Sequence, residues 1–227
     1  LPDIVRMRAV PGGMKTVAAI AVMAAIANWP LLNEAFMRAV TENNLGVALQ
    51  GERRLDDATA HYRRAIAFRP DYAPAYSNMG TALRAQGRHE EAVHAYEQAL
   101  KLQPEFAGAH YNLANLLLDA GNPAAAATEF RRALQSEPAS AEVHSNLGIA
   151  LAATGHGDEA ISEFRRAIAL DPNAAKAHRN LGDALSASGA QPEAIASLRR
   201  AAELEPVDAA IQYDLGSALL EAGQLEE

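Results

Sequence analysis

The chain has no cysteine, one tryptophan, and only 5% aromatic residues. Without cysteine there is no disulfide framework, no thiolate nucleophile and no zinc–thiolate site. Long β-branched runs, which strands favour, are also missing. No nucleophile elbow, phosphate-cradling glycine loop, HExxH or paired-carboxylate motif occurs, so nothing points to catalysis within these residues. An excess of positive charge is lacking too, since the formal net charge is -8. Residues 1–27 carry Arg6, Arg8 and Lys15 against Asp3, so the +2 there leaves -10 for the rest. So acidic a body repels phosphate backbones and argues against a nucleic-acid partner.

What is abundant is alanine, within an apolar content of 49% over 227 residues. Alanine is the best helix former, and its small side chain suits closely packed helices. Comparison of the chain with itself gives a period of 34: Gly46, Gly80, Ala114, Gly148, Gly182 and Gly216. Leu45, Met79, Leu113, Leu147, Leu181 and Leu215 form a second column. Pro70, Pro104, Pro138, Pro172 and Pro206 form a third, and Ala65, Ala99, Ala133, Ala167 and Ala201 a fourth.

With Ala39 as position 1, positions 4, 7, 8 and 11 make one helical apolar stripe, as in His110, Leu113, Ala114 and Leu117. Positions 20, 24, 27 and 28 make another, as in Ala126, Phe130, Ala133 and Leu134. Gly87, Gly121, Gly155, Gly189 and Gly223 at position 15 fit left-handed helix C-caps. Asn122 followed by Pro123 reads as an N-cap and N1 pair. The proline at position 32 stands where the second helix must stop. Each unit is therefore helix A, a tight turn, helix B and a second turn. Arg53 departs from the position-15 glycine column. Gly51 is expected to end that helix A early and leave the first turn less regular than the others.

The pattern LG…A…F…A…P over 34 residues resembles the tetratricopeptide repeat. The resemblance implies an all-α, right-handed α-solenoid of antiparallel helix pairs. It covers 39–208 as five units (39–72, 73–106, 107–140, 141–174 and 175–208), with helix A of a sixth over 209–227. Residues 30–38 form a lead-in helix. Phe36, Ala39 and Val40 fit helix-B positions, yet Asn44 is already position 6 of the next unit. That leaves no room for a turn, so one continuous helix is expected from about Pro30 to about Gln50.

Residues 1–29 are a basic and apolar leader, and the run at 16–33 carries no charge. It resembles a secretory signal peptide cleaved after Ala25-Ile26-Ala27, or a retained membrane anchor; an alanine-rich helix packed on the first repeat is the alternative. Export to the periplasm or membrane attachment is the expectation, with a cytoplasmic location the alternative. Leu1 is not an initiator methionine and the chain stops inside a repeat, so a longer protein is expected. Leu215, Leu219 and Leu220 of the sixth helix A lack a helix B, which predicts fraying beyond about Leu220 or self-association through that end.

In this family helix A lines the concave face. The position-6 column then becomes a candidate peptide-binding groove: Asn44, Asn78, Asn112, Asn146, Asn180 and Asp214. A primary amide carries both donors and an acceptor, which matches the backbone of an extended peptide. A similar asparagine ladder marks the superhelix of O-linked N-acetylglucosamine transferases, and AYSNMG and EAIASLRRAAELEP look like that subfamily. Asparagine is also common at position 6 across the family, bonding locally.

A carboxylate clamp for acidic tails is a second comparison. Asn115, Asn146 and Lys176 occupy three of its places, while Tyr111 and Asn180 replace the cations it needs. Lys176 and Arg179 remain a small basic spot, predicting a mild preference for acidic partner residues. His110, His144 and His178 recur at position 4, but successive A helices stand too far apart for one metal ion, so these rings read as packing with a polar edge. The arginine pairs of helix B read as a solvated face with i,i+3 partners such as Glu129 and Arg132. No cofactor and no metal is expected. The function classes left are a protein-binding scaffold, the recruiting arm of a larger glycosyltransferase, or the tail of a membrane protein.

Overall fold

The computed structural model describes residues 34–223. They fall into two compact units, one ending at Tyr72 and the next beginning at Ala73. In the first unit, α1 is helical without a break over 34–51, and α2 spans Leu55–Phe68. Ala39 and Asn44 lie on the same helix, as the missing turn residues require. The expected start at Pro30 lies outside the described residues. So does the run at 16–33, and with it the export or anchor expectation. No described helix is long and apolar enough to cross a membrane.

The second unit stacks helix pairs in sequence order: α3 (Ala73–Ala85), α4 (His89–Leu102), α5 (Ala107–Asp119), α6 (Pro123–Ser136), α7 (Ala141–Ala153) and α8 (Gly157–Leu170). It continues with α9 (Ala175–Ala187), α10 (Gln191–Leu204) and α11 (Ala209–Glu221). Both units are all-α among the described residues, in the antiparallel helix pairs of an α-solenoid.

Within each pair the position-8 residue lies directly under the position-24 side chain. A Cβ added to Gly148 would stand 2.6 Å from the Phe164 ring, and one on Gly80 2.7 Å from the Tyr96 ring. Gly46 and Tyr62 repeat this in the first unit. Tyr62, Tyr96, Phe130, Phe164 and Leu198 are consequently the centres of their repeats, each almost wholly buried. Burying one such side chain contributes about 1.5–3 kcal/mol.

The A-to-B turns are Schellman motifs. Arg88 N–H donates to the Leu83 carbonyl at 2.9 Å and Gly87 N–H to Arg84 at 2.9 Å, with Gly87 at φ +76°. The same pair of bonds recurs at Asn122 and Gly121, His156 and Gly155, and Ala190 and Gly189. The first turn is a correction to expectation. Helix α1 is not cut short at Gly51, and the turn is as regular as the rest. Arg54 N–H reaches the Leu49 carbonyl at 2.9 Å and Arg53 N–H reaches Gln50 at 3.0 Å. Arg53 itself takes φ +62° to allow it. The two end bonds and the packing below outweigh the left-handed conformation that an L side chain disfavours.

Helix starts follow the expected chemistry in part. Asn122 Oδ1 accepts from Ala125 N–H, with Pro123 next to it. Ser140 and Asp208 cap α7 and α11 in the same way. Each helix B of the second unit stops two residues before its proline, at Leu102, Ser136, Leu170 and Leu204. On α11, Leu215 and Leu219 pack against Ile195, Leu198 and Ala218, while Leu220 is exposed.

Arg53 gives the fold's most direct test. Replacing Arg53 with glycine removes the strain at φ +62° while the Schellman bonds stay. Arg53→Gly should raise stability by about 0.5–1 kcal/mol in urea unfolding, net of glycine's extra freedom in the unfolded chain.

Candidate functional site

In the second unit successive A helices touch: α3 with α5, α5 with α7, α7 with α9 and α9 with α11. Among the described residues no such contact joins α4, α6, α8 and α10 to one another. Helices A therefore converge and helices B splay, which places helices A on the inner face. The position-6 residues run along it, one per helix: Asn78, Asn112, Asn146, Asn180 and Asp214, all partly buried. In the first unit Asn44 is exposed on α1 and accepts from Asn43 Nδ2 at 3.5 Å.

The ladder is wired between helices. Asn112 Nδ2 donates to Thr81 Oγ1 at 3.3 Å, and the Tyr96 hydroxyl donates to that same oxygen at 3.2 Å. Asn146 Nδ2 donates to Asn115 Oδ1 at 2.9 Å and to the Tyr111 hydroxyl oxygen at 3.3 Å. The Tyr111 O–H in turn donates to Glu142 Oε1 at 2.5 Å. Burial, followed by the hydrogen bond to Glu142, pushes the Tyr111 hydroxyl up to about 12, so it stays a donor at ordinary pH. Position 6 of one repeat thus bonds to position 9 of the repeat before it, and one side-chain N–H of Asn112 and both of Asn146 are engaged inside the stack.

The basic spot expected at Lys176 and Arg179 is corrected. Arg179 Nε donates to Asp214 Oδ2 at 2.5 Å, and that bond holds its guanidinium above its ordinary value. Asp183 stands beside this pair, its carboxyl raised by desolvation and then by the Asp214 charge. One guanidinium therefore faces two carboxylates, so Arg179 adds no free positive charge to the face. Lys176 is exposed and makes no ion pair among the described residues. Between α3 and α5, Arg84 is paired with Asp119. Of an anion-gripping clamp, Lys176 alone is a cation without an ion-pair partner among the described residues, while Tyr111 and Asn180 stand where the other cations would be.

The histidine column is built into the framework. His110 Nδ1 lies 2.6 Å from Glu129 Oε2, and its Nε2 lies 2.8 Å from the Pro104 carbonyl oxygen. Arg132 Nη1 donates to the other Glu129 oxygen at 2.6 Å. His144, Glu163, Arg166 and Pro138 repeat this arrangement. Each triad ties helix A, helix B and the preceding proline turn, and neither ring nitrogen is left for a metal. Among the described residues no group of three or more acidic, histidine or cysteine side chains could hold one. The i,i+3 pairs exist as expected, but Glu129 is buried rather than on a solvated face. A cavity of about 780 Å³ between α4 and α6 lies outside the inner face, and Arg132 and His110 in its lining are already held by Glu129.

Sequence columns did not reveal Thr81, Glu142 or Asp183. They sit at positions 9 and 2, where the residue type changes from repeat to repeat. Their signal is a partner about 31 residues further along or back, as in Thr81 with Asn112 and Tyr111 with Glu142.

Family comparison matches two tetratricopeptide-repeat models, one to residues 77–141, 111–175, 145–204 and 192–227 and the other to 37–105. No curated protein matches the sequence significantly. Among solved structures, YrrB is described as a TPR protein with an unusual peptide-binding site. It is 25% identical with a TM-score of 0.67, covering 86% of this chain and 98% of that one. MamA of Desulfovibrio magneticus RS-1 is 22% identical, with a TM-score of 0.68 over 76% of this chain and 97% of that one. The pilF protein of Pseudomonas aeruginosa is 17% identical, with a TM-score of 0.76 over 85% and 86%.

The triads also generate a test in the fifth repeat. His178 keeps its bond to the Pro172 carbonyl at 3.0 Å, but Ser197 stands where Glu129 and Glu163 stand in the earlier repeats. Arg200 is already at the third corner. Ser197→Glu should therefore stabilise the array by about 1 kcal/mol, read from the urea midpoint. His110→Ala should destabilise it by about 2–3 kcal/mol by leaving a buried carboxylate short of a donor.

Proposed function

The chain belongs to the tetratricopeptide-repeat family, whose fold serves protein–protein interaction, and from that premise we propose that its inner face holds an extended peptide segment. The carrying observation is the line of partly buried asparagines, one on each of α3, α5, α7 and α9, on a face where successive A helices touch. The spacing is set by helix packing before any ligand arrives, so little ordering cost falls on the protein. YrrB, a similar protein described as having a peptide-binding site, supports the reading.

The wiring refines the chemistry. Asn112 gives one N–H to Thr81 and Asn146 gives both of its own to Asn115 and Tyr111, while no bond engages their Oδ1 atoms among the described residues. Those oxygens can accept from the backbone N–H groups of an extended chain. Side chains of the segment are not read by this contact, so binding is broad in sequence and favours disordered segments. Each net hydrogen bond contributes only about 0.5–1.5 kcal/mol, so several rungs must act together.

Changing Asn78, Asn112 and Asn146 together to alanine should lower retention of a mixed-sequence peptide pool on the immobilised chain about tenfold, with single changes costing about two- to threefold. Far-UV circular dichroism and the melting midpoint check the fold. Unchanged retention with the fold intact contradicts the proposal.

A further inference from the structure

We propose that the segment held in this groove is basic, and that one of its lysine or arginine side chains enters a hollow between α5 and α7 to meet Glu137 and Glu142. This inference rests on the groove reading above and names the partner's chemistry.

The hollow measures about 160 Å³, the room of about five waters. That suits a single side chain. Its floor is apolar, made by Ala107, Gly108, Ala133 and Val143. Gly108 at position 2 contributes no side chain, where the following repeats carry Glu142 and Lys176. Glu137 and Glu142 stand at the rim with Tyr111. An apolar floor under a carboxylate rim fits the aliphatic stem and charged head of a basic residue, which buries its methylenes and keeps its charge at the surface. A purely apolar side chain would desolvate the carboxylates without compensation, and an acidic one would be repelled.

The rim is prepared for a cation. Tyr111 donates to Glu142 Oε1, which holds that carboxylate over the hollow, while no bond engages Oε2 among the described residues. Glu137 is exposed and makes no ion pair among them. Burial keeps the Tyr111 hydroxyl protonated, so it does not compete as an anion.

The rest of the face agrees. Arg179 is tied to Asp214 with Asp183 alongside, and Arg84 is tied to Asp119. Lys176 is the opposing charge that remains, one repeat further on. The amide N–H groups of Asn146 are engaged by Asn115 and Tyr111. What this surface offers a partner is mostly acceptors, so its complement is a donor-rich chain.

The test is fluorescence polarisation of the full chain with matched serine–glycine peptides carrying spaced lysines, glutamines or glutamates. The lysine peptide should bind about tenfold tighter than the glutamine peptide, and the glutamate peptide more weakly still. The preference should shrink with added salt. Glu137→Gln combined with Glu142→Gln should bring the lysine peptide down to the glutamine level and leave glutamine-peptide binding unchanged. Equal binding of lysine and glutamine peptides, or tightest binding of the glutamate peptide, overturns the inference while leaving the groove reading standing. A lysine preference that survives the double change also overturns it, because the cation then sits elsewhere. Failure of all three peptides to bind overturns the groove reading and this inference together.

Discussion

The close approach of helices A and B at position 8 is the constraint on which the rest depends. A ring or leucine at position 24 fills the space over a residue with no side chain, as Phe164 does over Gly148 and Leu198 over Gly182. Interiors are packed to crystal-like density, so this contact fixes the separation of the two helices to a few tenths of an ångström. Repetition every 34 residues then propagates one geometry along the stack. Alanines at positions 20 and 27, such as Ala126 and Ala133, keep the rest of the interface equally close.

The arrangement of the inner face is a by-product of that packing. Once the A helices converge, position 6 of one repeat comes within reach of positions 5 and 9 of its neighbour. The bonds from Asn146 to Tyr111 and Asn115, and from Arg179 to Asp214, follow from that adjacency. They serve a second purpose by orienting the asparagines and neutralising the cations. Polar groups on the other side are consumed by the framework, since the triads of His110, Glu129 and Arg132 and of His144, Glu163 and Arg166 tie the third and fourth repeats to the proline turns before them. The asparagine ladder and the histidine triads are in this way divided between the two faces of helix A.

Much of this was legible in the sequence because identical positions recur. The period, the helix pairs, the glycine C-caps, the Asn122–Pro123 start and the unbroken helix through Ala39 and Asn44 all rest on local chemistry that a single chain displays. The position-6 asparagines were legible as a column, though only family resemblance put helix A inside. Where the reading failed, the deciding partner was remote. Arg53 looked like a broken cap because its side chain is wrong for a left-handed turn, yet the end bonds to Leu49 and Gln50 impose the turn anyway. Arg179 looked like a free cation because its neutralising partner stands 35 residues on, in the next repeat. Glu129 looked solvated because its pairing with Arg132 was visible and its pairing with His110, 19 residues back, was not.

The central claim is that a ligand reaches this chain through the inner face of its A helices, by way of acceptors. Nuclear magnetic resonance of the labelled chain tests it most directly, by following the asparagine side-chain amides while the lysine-bearing peptide is added. The account predicts that the Asn112, Asn146 and Asn180 amides shift together with backbone signals of α5, α7 and α9, while the outward faces of α4, α6 and α8 stay unchanged. Shifts confined to the B helices, with those asparagines unmoved in a bound complex, would contradict it.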